Sequence, residues 1–319
     1  MMANPGWSHR ESPFHPGELA IQARLGIQER MDKQGRRIIR EYLIEQHQKF
    51  FAQLSYIVVG TVDEFGNLWA SILMGEPGFL SAPEDNIFQV TSQILPGDPL
   101  AFTLKEGVDI GLLGIELSNR RRNRINGVVA SKNDDSFEVL VEQSFGNCPQ
   151  YIQARTFEKV TSDESIEIAE IKTFDNWERN LIANADTFFI ATAYQDESAG
   201  IAGGVDVSHR GGRSGFIRID GEKTLTIPDF SGNNHFNTIG NIEVNPPTGL
   251  LFIDFARGDV LYLTGFAEII WESEEIDSFA GAEQLIRFHL KRGYRVKASL
   301  PLRWSNPEFS PFLEHTGSW

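Results

Sequence analysis

Three short runs hold the residue types that could do chemistry. "SHRGGRS" places Ser208, His209, Arg210, Arg213 and Ser214 around a Gly-Gly pair, between the apolar runs "GGVDV" and "GFIRI". "PDFSGNNHFN" follows after one further strand-like run and offers Ser231, Asn233, Asn234 and His235. "SNRRRNRING" sets Arg120, Arg122 and Arg124 at alternate positions, so on a strand they share one face. Arginine forks match phosphate oxygens bidentately. Glycines let a backbone approach a ligand closely. The chemistry suggested is capture of an anion, a phosphate above all. The plainer reading is that Gly, Asn and Ser are what surface turns need, and that an arginine run is a solvated or salt-bridged face. On composition alone that plainer reading is favoured.

The chain around these runs is acidic. It has 319 residues with 29 Lys and Arg against 44 Asp and Glu, a formal net charge of -15. Such a balance argues against general nucleic-acid binding, while leaving room for one focused cationic site. The single cysteine, Cys148, excludes an intrachain disulfide and fits a reducing compartment. No apolar run approaches the roughly 20 residues of a membrane span, and the N-terminus lacks the apolar core of a signal peptide. A soluble, cytoplasmic protein is the expectation. The seven histidines show no zinc spacing, and there is no dinucleotide-binding, Walker or nucleophile-elbow motif. No metal is expected. Tyr151 and Gln153 in "FGNCPQYIQ" are candidates for a ligand edge, with core packing the stronger reading for Tyr151.

The elements that would position these runs are mostly strands. Residues 18–54 read as helical from their apolar spacing. Residues 55–144 break into short β-rich runs separated by "DEFGN", "PGDP" and "KNDDS". Residues 155–175 look like an acidic connector, followed by a short helix around 176–185. Strands return from "TFFIATAY" to "VLYLTGFAEIIW", then a helix over 276–292 and a last extended run, "RVKASLPLRW".

The two strand-rich halves share landmarks in one order: Thr61 with Thr192, Gly78 with Gly215, Gly111 with Gly249, and Gly127 with Gly265, at offsets of 131 to 138 residues. The expected fold is therefore mainly β with flanking helices: two β-barrels in tandem, related by a pseudo-two-fold axis. The segments are 1–54 (helical), 55–154 (first, divergent barrel), 155–185 (connector and helix) and 186–319 (second barrel with a C-terminal helix and strand). An ancestral two-fold dimer would keep its interface inside one such chain, so an intrachain pseudo-dimer or a homodimer is expected.

The segment 187–271 resembles the pyridoxamine 5'-phosphate oxidase-like family of split β-barrel flavoproteins. The resemblance is carried by "FFIATA", "VDVSHRGGRSGFIRI", "LTIPDFSGNNHFNTIGNI" and "NPPTGLLFIDFARGDVLYLTGFAEI"; "SNRRRNRINGVV" and "GNCPQYIQ" extend it to the first half. It implies FMN at a dimer-type interface, with phosphate held by the two loops through Ser208, His209, Arg210, Arg213, Ser214, Asn233, Asn234 and His235. Arg122 and Arg124 would reach across from the first half. The pyridoxamine phosphate oxidases themselves carry Ser-Arg-Lys in the second loop. Here Gly232-Asn233-Asn234 stands there, which speaks against pyridoxamine phosphate as substrate. The resemblance thus implies an FMN-dependent oxidoreductase of unknown substrate and electron acceptor. The alternative is a non-catalytic flavin or haem carrier, or a degenerate barrel serving in assembly. The segment "SILMGEP", matching "SHRGGRS" in the first half, has no cation, so one FMN per chain is expected.

Overall fold

The computed structural model describes residues 6–161 and 165–319. Residues 1–5 and 162–164, inside the expected N-terminal and connector segments, lie outside it. Three helices open the chain: α1 (Pro16–Arg24), α2 (Gln28–Ile38) and α3 (Glu45–Ala52). His15 caps α1 in a reciprocal capping box with Glu18, and Pro16 sits in the first turn, which tolerates it.

The first half contributes β1 (Tyr56–Val62), β2 (Leu68–Met74), β3 (Leu80–Glu84), β4 (Ile87–Thr91), the short α4 (Leu100–Thr103), β5 (Asp109–Glu116), β6 (Arg121–Lys132) and β7 (Ser136–Gly146). After β8 (Phe157–Lys159), β9 (Glu167–Ile171) and α5 (Asn176–Asn184), the second half repeats the plan. It has β10 (Thr187–Tyr194), β11 (Gly204–Gly211), β12 (Arg218–Asp220), β13 (Thr224–Phe230), α6 (Asn237–Val244), β14 (Pro247–Ile253), β15 (Val260–Ile270), α7 (Glu274–Ser278), β16 (Ala282–Lys297) and β17 (Leu302–Trp304).

One strand order occurs twice. The sheets run β2-β1-β5-β6-β7-β4-β3 and β11-β10-β14-β15-β16-β13-β12. The four landmark pairs occupy equivalent places. Gly111 faces Gly60 across β5 and β1, and Gly249 faces Ala191 across β14 and β10. Gly127 and Gly265 each stand at a bulge, where a Cβ would lie 2.0 Å from a neighbouring carbonyl oxygen. Gly78 and Gly215 both take positive φ, 99° and 88°, a turn conformation that favours glycine. The expected fold class, two split barrels in tandem, is the one found.

The halves meet reciprocally, as the subunits of a two-fold dimer do. A Cβ at Gly111 would lie 2.5 Å from the Val205 carbonyl oxygen on β11; one at Gly249 would lie 2.6 Å from that of Leu68 on β2. Each half has its own apolar core, and a third cluster joins them through Val58, Trp69, Leu113, Val207, Leu251 and Tyr262.

Three local expectations are corrected. The helix expected over 276–292 is only the five-residue α7; from Ala282 the chain is β16, paired to both β15 and β13. Ladder hydrogen bonds on both sides and a buried apolar face outweigh the helix-like local composition there. Residues 155–175 are more than a connector, because β8 pairs with β17 and β9 with β16. The helical stretch 18–54 is broken between α2 and α3, where Arg40 bridges to Ser144.

Candidate functional site

The first-half strand β6 delivers two arginines to the second half. Arg122 and Arg124 lie on one side of it, while Arg121 points the other way, onto the ring of Phe50. Arg120 is not in this row. It precedes the strand in a left-handed conformation (φ 58°) and donates to the Ile152 carbonyl and to Glu308.

Arg124 is 3% exposed and forms an ion pair with Asp206 on β11, also donating to Ser208. Asp206 further accepts from Asn126 at 2.8 Å and from Asn241 of α6 at 2.7 Å. The Arg124 charge is therefore already balanced. Arg210 is likewise paired, with Asp229 at 3.1 Å. Arg122 differs. Its Nε donates to the Cys148 carbonyl at 2.7 Å and its Nη1 to that of His209 at 3.3 Å. It has no carboxylate partner among the described residues. Burial, then Arg210 and Arg124, push this guanidinium down to about 9, which leaves it charged at neutral pH.

These side chains line a cleft between the halves. Its walls include Arg122, Arg124, Ser208, His209 and Arg210, and the turn Gly232–Asn234 with the start of α6 closes one end. A second recess continues it past Arg122, His209 and Arg210 toward Cys148, Tyr151 and Ser231. The turn is held by two non-glycine residues at positive φ, Asn234 (61°) and Phe236 (64°). Around the cleft several buried polar atoms have no hydrogen-bond partner among the described residues: Nε of Arg124 and of Arg210, Nε2 of His209 and Nδ2 of Asn147. Buried polar groups are ordinarily paired, so this clustering marks a place built for something polar. The cavity volumes are about 80 Å³ and 40 Å³. That suits a phosphate, whereas drug-sized ligands and cofactors occupy roughly 300–1,000 Å³.

Of the expected residues, the structure brings together Ser208, His209, Arg210, Asn233, Asn234, Arg122 and Arg124. It does not bring in Arg213 and Ser214. Both are exposed; Arg213 lies over the ring of Phe309, and Ser214 donates to the Asn184 carbonyl. His235 stands behind the cleft rather than in its wall, with its ring between Phe14 and Phe145. Tyr151 lines the recess, while Gln153 is fully buried and ties Tyr151, Gly212 and Ser310 together. Residues that sequence reasoning missed are Asp206, Asp229 and Glu283. Asp229 stands inside the quoted "PDFSGNN" run, so its motif could have flagged it. Glu283 fell within the misassigned helix. Burial raises both carboxyls, opposed at Asp229 by Arg210 and at Glu283 by Ser231.

The equivalent space in the other half is filled. By strand register Tyr262 replaces Arg124, Val260 replaces Arg122, and Trp69 replaces Asp206. Trp69 and Tyr262 are fully buried; Trp69 stacks on Tyr294 at 5.6 Å, and the Tyr262 hydroxyl donates to Asp98.

The histidines near the cleft are held neutral. Burial lowers His15 and His235 to about 4, and lowers His209 well below its usual value with help from Arg122 and Arg210. A depressed histidine binds fewer protons folded than unfolded, so its contribution is lost as pH falls from about 6.5 toward 4. Imidazole nitrogen NMR is expected to show His15, His209 and His235 unprotonated from pH 8 down to pH 5.5. A midpoint near 6.5 for any of them would contradict the burial argument.

Fold and cleft together define a split-barrel chain built on two large sheets, with a polar cleft between its halves. No protein-family model and no curated protein matches it. Among solved structures it is similar to HupZ of Group A Streptococcus, at 18% identity over 37% of this chain and 89% of that one, TM-score 0.30. It is similar to a provisional pyridoxamine 5'-phosphate oxidase of Lactobacillus delbrueckii, at 12% identity over 39% and 94%, TM-score 0.32. A FAD-binding protein of Mesorhizobium loti is similar at 12% identity over 40% and 97%, TM-score 0.27. No helix among the described residues is long and apolar enough to cross a membrane.

Proposed function

We propose that the cleft holds the phosphate of FMN and that the protein is a flavin-dependent oxidoreductase of the split-barrel type. The observation that carries this is Arg122, a largely enclosed cation with no carboxylate partner among the described residues, set beside unsatisfied donors on Arg124, Arg210 and Asn147. A phosphate dianion leaving water requires compensating charge. Arg122 would supply it, and the side-chain amides of Asn233 and Asn234 would add neutral donors. Bound FMN would supply two-electron redox chemistry. The chain's own residues would orient and tune: neutral His209 offers a hydrogen bond through Nε2, and Asp229 holds Arg210 in place by its ion pair. The filled counterpart at Trp69 and Tyr262 favours one flavin per chain. A second reading, a non-catalytic site for a small phosphate monoester, is favoured by the cavity volume of about 80 Å³.

Flavin titration followed by fluorescence quenching separates these readings. FMN is expected to bind at one per chain. Arg122→Ala is expected to weaken FMN tenfold or more, since a charge-assisted contact is worth about 1.5–3 kcal/mol. Riboflavin, which lacks the phosphate, should change less than twofold, and Arg213→Ala should leave FMN binding unchanged. Saturable binding of inorganic phosphate without any FMN binding would decide for the second reading.

A further inference from the structure

A larger cavity lies away from the cleft and shares no lining residue with it. It sits beneath α5, between the start of β10, the end of β14 and the chain after β17, with a volume of about 360 Å³. Trp177, Phe255 and Trp304 give it flat apolar walls, and Arg155, Asp186 and Thr187 give it a polar edge. Arg155 and Asp186 are 7% and 5% exposed, and Nη2 of the arginine donates to Oδ2 of the aspartate at 2.6 Å. The guanidinium carbon lies 4.5 Å from the Phe255 ring centroid. Nε and Nη1 of Arg155, Oδ1 of Asp186 and Oγ1 of Thr187 have no hydrogen-bond partner among the described residues.

The two charges cancel, so the edge does not call for an ion. It presents N–H donors beside a carboxylate acceptor. The complement is a neutral planar molecule with an acceptor beside a donor, which is the lactam edge of an oxopurine or a related heterocycle. Aromatic walls fit the faces of such a ring, and the volume falls within the roughly 300–1,000 Å³ of small-molecule sites. The related cavity in the first half, about 260 Å³, also touches Arg155. There Ser55 and Leu117 stand where Asp186 and Phe255 stand here, so the donor–acceptor edge exists once.

We propose that the cavity bounded by Arg155, Asp186, Trp177 and Phe255 binds a neutral heteroaromatic lactam of the oxopurine class. Inosine and 1-methylinosine are the probes, read by tryptophan fluorescence and calorimetry on the full chain. Inosine is expected to bind saturably. 1-Methylinosine, whose lactam N–H is blocked, should bind at least tenfold more weakly. Because Asp186→Asn risks the fold, Trp177→Ala on the outer helix is the companion variant, expected to weaken inosine about fivefold. Arg122→Ala should leave inosine unaffected, which keeps this result separate from the flavin reading. No saturable inosine binding, equal binding of the methylated probe, or indifference to Trp177→Ala would each overturn the assignment.

Discussion

Arg124→Ala is expected to destabilise the protein by about 3–5 kcal/mol, the range for removing one partner of a buried ion pair. The variant leaves Asp206, 5% exposed, with Asn126 and Asn241 but no cation. At about 2–4 °C per kcal/mol for a large chain, the melting midpoint should fall by roughly 10 °C. The double variant Arg124→Met with Asp206→Leu should recover most of that loss, because apolar replacements of a buried pair are often neutral or better. Thermal denaturation followed by circular dichroism decides. A single-variant shift below about 2 °C would mean that the pair does not join β6 to β11 in solution.

Gly111→Val and Gly249→Val are expected to destabilise by similar amounts, about 3 kcal/mol each, the upper end for overpacking. In both cases the obstacle is backbone, the Val205 and Leu68 carbonyls at 2.5 Å and 2.6 Å, which cannot swing aside as a side chain can. Similarity is the informative part, since reciprocal contacts follow from the pseudo-two-fold relation of the halves. Gly232→Ala is the control. Nothing lies within 4 Å of a Cβ there, so its effect should stay within about 0.5 kcal/mol. Urea unfolding of the three variants tests this. A large loss for one valine variant and none for the other would break the equivalence.

What could be read along the chain was what local backbone geometry demands. The bulge glycines Gly127 and Gly265 and the turn glycines Gly78 and Gly215 stand at positions where a side chain meets a carbonyl or a positive φ. They carry the repeat in the sequence itself. The face shared by Arg122 and Arg124 was legible for a similar reason, the two-residue period of a strand. What tertiary structure alone decided was which neighbour each group met. Residues 282–292 became strand because β13 and β15 flank them on both sides. Arg213, in the same motif as Arg210, was left exposed while Arg210 met Asp229. Arg124 was neutralised by Asp206, 82 residues away, while Arg122 met carbonyls and no carboxylate among the described residues. A residue's type and spacing set what it can bind; the partner that reaches it through space sets whether that capacity is already used.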